Sequence, residues 1–203
     1  MSIDTHPAAR APKRERGKQR VAALLDAGSA LFAERGYHAT TMTAIAQRAG
    51  AAIGSLYQFF PSKEALAGAL FDRFAERAAA SFARVEERAP GSSPAELADV
   101  MIGHKLGLRS DREAAEAALS SAIASIVERR KPLGDAVRAR TAVLLRSANP
   151  FLTNDEAMAA SVMIGQILKM VPALAADEEE SGLPLVDEAR TLLALYIERV
   201  VRT

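Results

Sequence analysis

The chain has 203 residues, 49% hydrophobic, 25% charged and 5% aromatic, with 12 Gly, 9 Pro and no Cys. These proportions suit one or two globular domains, and the lack of cysteine excludes a disulfide framework, a thiolate zinc or iron–sulfur site and a thiol redox switch. The formal net charge of +1 hides an asymmetry: the first 60 residues carry eight Lys/Arg against four acids, and the remainder is net acidic. Charged or polar residues interrupt every apolar stretch, so no membrane-spanning run of about 18 residues is expected, and the location expected is cytoplasmic. The basic start followed by Val21–Leu25 imitates a secretory signal, but Asp26 interrupts it and a helical stripe continues beyond.

Residues 1–17 hold Pro7, Pro12 and Gly17 without a helical stripe and read as a flexible basic arm. Such an arm suits contact with a polyanion, and equally a solvated tail. A helix is expected from Lys18, where Val21, Leu24, Leu25, Gly28, Leu31 and Phe32 recur on one face and Gly36 supplies the stop. Next come a threonine cap, a helix of about two turns ending at Gly50, a tight turn, and a second short helix through Phe60: a helix-turn-helix. Ile45, Ala46 and Ala49 face inward from the first of these, and Leu56 and Phe60 from the second. The outward face of the second holds Gly54, Ser55, Tyr57 and Gln58, whose small surfaces and hydrogen-bonding tips suit entry into a major groove. The same pattern also describes a structural hairpin within an all-helical enzyme or protein-interaction module.

From Ser62 to about Arg88, Leu66, Leu70, Phe74, Ala78 and Phe82 form one stripe of a long helix. Breaks are expected at Ala89–Gly91, at Lys131–Gly134, at Asn149–Pro150 and in the acidic stretch Asp177–Gly182, with Glu178–Glu180 read as a solvated loop. Capping boxes are expected at Ser93–Glu96, Ser110–Glu113 and Thr153–Glu156. The fold class is therefore all-α, with about nine helices. Near the carboxyl end, Val186, Ala189, Leu193, Tyr196 and Val200 recur at spacings of three and four, as do Met158, Val162, Gly165 and Leu168 before them. His6, His38 and His104 are widely separated, so no metal site is expected. No nucleophile elbow, phosphate-cradling glycine loop or histidine-based catalytic set is present, so neither enzymatic activity nor a cofactor is expected.

From Arg20 to about Leu70 the string resembles the DNA-binding domain of TetR-family transcriptional regulators. The resemblance rests on Phe32, Gly36–Tyr37, Thr40–Thr41, Ile45–Ala46, Ala49–Gly50, Gly54–Tyr57, Phe60 and Ser62–Leu66. It implies a DNA-binding domain over 18–63 and a ligand-binding and dimerisation domain over 64–203. By resemblance, Thr40 and Thr41 offer a hydroxyl or amide to phosphate, with Thr41 also capping its helix. Tyr57 reaches the DNA backbone or a thymine methyl, and Lys63 meets phosphate. Gly54, Ser55 and Gln58 are candidates for base edges, and Arg48 lies along a phosphate strand or in a surface ion pair. Ala52 and Phe59 depart from the family pattern and leave the operator sequence open.

The resemblance further implies a homodimer built on the last two helices, with Met158, Val162, Gly165, Leu168, Ala189, Leu193, Tyr196 and Val200 at its interface. Packing within one subunit is the competing reading of those stripes. A pocket for a small, mostly apolar effector is implied, with Met101, His104, Met163, Gln166 and Met170 as candidates, although such a methionine stripe also suits a core. The expected function is a ligand-responsive regulator, a repressor that binds double-stranded operator DNA as a dimer, with the helix from Ser62 as coupling element.

Overall fold

The structure, a computed structural model, describes residues 15–108 and 124–202. Among them are eight helices and no strand: α1 (Glu15–Ala39), α2 (Met42–Arg48), α3 (Ile53–Phe59), α4 (Lys63–Arg88), α5 (Pro94–Gly107), α6 (Ala124–Ala148), α7 (Asn154–Ser181) and α8 (Leu185–Arg202). The all-α expectation holds, and the cap expected at Ser110–Glu113 lies outside the described residues. The contacts divide the chain into two units. One contains residues 15–76 and 124–130, the other 77–108 and 131–202. The division falls within α4, between Glu76 and Arg77, further along than the expected 63/64 boundary.

In the first unit α1 starts at Glu15, earlier than Lys18, with Glu15 paired to Lys18 at 3.3 Å. Gly36, at φ 76°, breaks its helical path where a side chain would be strained. Leu24, Leu31, Phe32, Ile45, Leu56, Phe60 and Leu66 are buried, and α2 packs on α1 and on α3. Gly28 has a separate use: a Cβ there would stand 2.7 Å from Leu66 Cδ2, so its missing side chain lets α1 and α4 cross closely. Arg73 also reaches Asp26 across this crossing, at 2.6 Å.

The second unit is built on α5, α7 and α8, which pack on one another with the end of α4 and part of α6. Phe82, Met101, Ile102, Leu145, Ile164, Val171, Leu193 and Ile197 form its core. Both capping boxes within the described residues form: Ser93 and Glu96 close the start of α5, and Thr153 and Glu156 the start of α7. Chain breaks follow Arg88 and Ala148 as expected.

Three expectations are corrected here. The α6 helix runs through Pro132 where a break was expected, forgoing one backbone hydrogen bond while Ala142 and Leu145 further along are held by burial. The acidic stretch is the last turn of α7 and not a loop. Glutamate is a good helix former, and the stop comes only at left-handed Gly182. Finally, α7 is long and apolar enough by length and composition to cross a bilayer, contrary to the expectation that no stretch would be. Its Ala160, Ile164, Ile167 and Val171 are instead part of this unit's core.

Candidate nucleic-acid interface

The first unit presents α3 by burying one side of it. Leu56 is 0% exposed and Phe60, just past the helix end, 2%, as buried as Ile45 and Phe32 of the same unit. With that side fixed, a helix of seven residues has little freedom left to rotate. The other side turns outward as expected: Gly54, Tyr57 (50% exposed) and Gln58 are at the surface and Ser55 is half-buried. Ile53, which the sequence reading left out, is 41% exposed one turn before Tyr57 and adds an apolar surface suited to a thymine methyl. The signal that finds it is the i, i+4 spacing to Tyr57 on the outward stripe.

The lead-in to α2 follows its expected chemistry. Thr41 Oγ1 accepts a hydrogen bond from the Ala44 amide at 3.1 Å, satisfying one amide of the first turn. Ala52, at the equivalent position before α3, supplies no such bond. Arg48 pairs with Glu34 at 2.6 Å on the surface, the ion-pair alternative. Their hydrogen bond holds the Glu34 carboxyl below its ordinary range and raises Arg48. An exposed pair of this kind is screened by salt, and Arg48 can exchange Glu34 for a phosphate at small cost.

Two expected phosphate ligands are committed elsewhere, which corrects their assignment. Thr40 is buried, its hydroxyl donating to the carbonyls of Gly36 and Leu31 (2.8 and 3.1 Å) and its amide to that of Tyr37. Lys63 directs its ammonium to the carbonyls of Tyr37 (2.8 Å), Thr40 (2.9 Å) and His38 (3.5 Å) and lies 4.3 Å from the centre of the Tyr37 ring. An ammonium has three donors, and all three are directed at the carbonyl-rich end of α1. Beside it the Tyr37 hydroxyl donates to Glu64 at 2.9 Å, and burial followed by that carboxylate pushes the phenol pKa upward. Lys63, Glu64 and Tyr37 thus bolt the start of α4 to the end of α1.

The second unit redistributes the remaining candidates. Met101 is a core residue, and Met163, Gln166 and Met170 lie on the exposed side of α7, so the expected inward phase is corrected. Small residues set that phase: Ala157, Ala160 and Ser161 pack inward with Ile164, Ile167 and Val171. Ala189, Leu193 and Val200 belong to the same subunit's core, which corrects their assignment to a dimer face. Met158 and Val162 are exposed, Gly165, Leu168 and Tyr196 half-buried, and the large exposed apolar residues of α8 are Leu192 and Leu195. Among the described residues no group of three His, Cys, Asp or Glu side chains is placed to hold a metal ion.

His104 is half-buried, its Nδ1 2.7 Å from Ser81 Oγ and its ring edge-on to Phe82. Burial, and then the charges of Lys105, Arg84 and Arg140, push its pKa down to about 4. The native state therefore binds fewer protons here than the unfolded chain, whose histidine titrates near 6.5. Its contribution to stability is intact above pH 6.5 and declines as the pH falls towards 4. The expected slope approaches one proton, about 1.4 kcal/mol per pH unit. Chemical denaturation between pH 4.5 and 7 should show this slope, and His104→Phe should remove it; an unchanged slope in the variant would assign it to other groups.

Fold and head together define a class: all-helical proteins with an amino-terminal helix-turn-helix. Residues 24–70 match the model of the tetR family of bacterial regulatory proteins. The repressor KstR of Rhodococcus jostii strain RHA1 is 38% identical over 88 residues, covering 42% of this chain and 38% of that protein. The match thus spans about two fifths of that relative's length. The crystal structure of a TetR-like transcriptional regulator from Rhodococcus sp. RHA1 aligns with a TM-score of 0.65 at 27% identity, over 95% of this chain and 99% of that one. FadR of Bacillus subtilis, solved in complex with stearoyl-CoA, shares the fold with a TM-score of 0.65 at 21% identity, over 87% and 97%. Residues 24–70 are thus a tetR-family domain, and the described chain has the fold of a TetR-like regulator.

Proposed function

We propose that the protein is a ligand-responsive repressor that binds a palindromic DNA operator as a homodimer and is released by a small, mostly apolar effector. The observation that carries this reading is the anchored α3, with Leu56 buried beneath an exposed edge of Ile53, Gly54, Tyr57 and Gln58. A helix of two turns reads few base pairs, so specificity calls for two copies about 34–36 Å apart on one face of the duplex. The exposed Met158, Val162, Leu192 and Leu195 supply apolar surface suited to burial against a second copy. Location in the cytoplasm, with the DNA, is part of the same reading.

Release follows if the effector binds more tightly to a conformation in which the two reading helices no longer match that spacing. It weakens operator affinity by the difference in its own affinity for the two conformations. We assign the coupling to α4, whose start is bolted to α1 by Lys63 and Glu64. The test is a salt-titrated binding assay on selected operator and random DNA with the full chain. A steep salt slope and a preferred palindrome are expected; an all-helical enzyme or interaction module shows neither. In the same assay Gln58→Ala should relax preference at one position of each half-site by about 1–3 kcal/mol with the salt slope unchanged. A uniform loss across all sequences would remove Gln58 from base reading.

A further inference from the structure

Among the buried polar side chains of the second unit, Ser81 stands out because polar side chains from three helices gather around it. Ser81 is only 8% exposed, and its Oγ is 2.7 Å from His104 Nδ1 on α5 and 3.2 Å from Arg84 Nη2, one turn along α4. Phe82 presents its ring to the imidazole, and Arg140 of α6 lies 4.8 Å from the centre of that ring while its guanidinium forks onto Glu86. No step of DNA reading uses this group. A polar cluster in an apolar core costs stability unless its members satisfy one another, and a cluster kept in such a place suits a ligand's polar end.

The hydrogen-bond directions give the chemistry. A guanidinium only donates, so Ser81 Oγ accepts from Arg84 and its own hydrogen is available for Nδ1. The imidazole is neutral near pH 7. An Nδ1 that accepts leaves the ring's hydrogen on Nε2. In that arrangement His104 presents a donor at Nε2, in surroundings where Lys105, Arg84 and Arg140 all act on it as positive charges.

We infer that the Arg84–Ser81–His104 relay anchors an apolar effector by an acceptor oxygen, a carboxylate or carbonyl, bonded to His104 Nε2–H. This rests on the effector-responsive reading above and names the chemical class of the ligand. Protonated amines and plain hydrocarbons are disfavoured, since neither offers an acceptor that matches an N–H donor among cations.

The test uses the full chain and three eight-carbon probes, octanoate, octanamide and octylamine, titrated by calorimetry. Octanoate and octanamide should bind at least about tenfold more tightly than octylamine, the order expected when one hydrogen bond is made or lost. In His104→Phe the three should fall within about twofold of one another, and His104→Gln, which keeps a side-chain N–H, should restore part of the preference. A margin of octanoate over octanamide measures what the cations add; equality assigns the preference to the N–H donor alone.

Independently of any probe, long-range 1H–15N spectra near pH 7 should show His104 as the Nε2–H tautomer. A Nδ1–H tautomer, a preference for the amine, or no binding of any probe would overturn the inference. The same preparation is assayed on operator DNA without probe. Sequence preference there, with the probe or tautomer result failing, removes only this inference. No sequence preference removes the repressor reading.

Discussion

Truncating Leu56 to alanine should cost about 2–5 kcal/mol of folding stability and abolish preferential operator binding. The side chain is wholly enclosed, so its loss leaves a cavity beneath α3 as well as lost burial. A helix of seven residues has no other anchor of that size except Phe60 at its end. The informative comparison is Tyr57→Ala, one residue along on the opposite side. It should leave stability within about 0.5 kcal/mol, as surface substitutions do, while still weakening DNA binding. Denaturant melts beside binding isotherms separate the two effects. Equal stability losses in both variants would mean that α3 is seated by something other than Leu56.

Replacing Lys63 by methionine should lower stability by about 1–3 kcal/mol, because three carbonyls lose a charged donor. The methionine keeps most of the aliphatic stem, so the change isolates the ammonium. The expected consequence for DNA is distinctive: affinity falls through a loosened head, and the slope of log affinity against log salt stays where it was. A lysine that neutralised a phosphate would instead reduce the slope by about one. A flattened slope with unchanged stability would return Lys63 to the phosphate backbone.

The contrast between these two residues shows what the sequence made legible. Leu56 was readable because its cues are local: Phe60 follows one turn later, Gly50 marks the turn before the helix, and helical spacing alone puts it inward. The caps at Thr41, Ser93 and Thr153 were readable for the same reason. Lys63 and Thr40 were not. The lysine's partners lie 23 to 26 residues earlier in the chain, and a threonine that turns its hydroxyl back on α1 has the same letter as one that faces solvent.

The α7 helix failed for a different reason. It is apolar on both sides, with Met158, Val162, Met163 and Met170 outward and Ile164, Ile167 and Val171 inward, so apolar spacing does not phase it. The readable clue was the run of small residues at Ala157, Ala160 and Ser161, which marks the side that needs close approach. In α8, Leu192 and Leu193 are neighbours in sequence and opposite in fate: one is exposed and the other fully enclosed. The acidic turn at Glu178–Glu180 was misread because charge suggested a loop, whereas the backbone preference of glutamate favours helix.

One consequence of the bolt between Tyr37, Lys63 and Glu64 concerns kinetics. The stretch from Gly36 to Thr41 is already pinned by three ammonium contacts, a phenol–carboxylate bond and the two carbonyls that Thr40 engages. A duplex arriving at this surface meets a loop with its shape already cast, so the entropy of ordering it falls on folding and not on association. Encounter with DNA then resembles docking of finished parts, with a rate governed by diffusion and long-range charge, and differences between operators expressed chiefly in how slowly the complex comes apart.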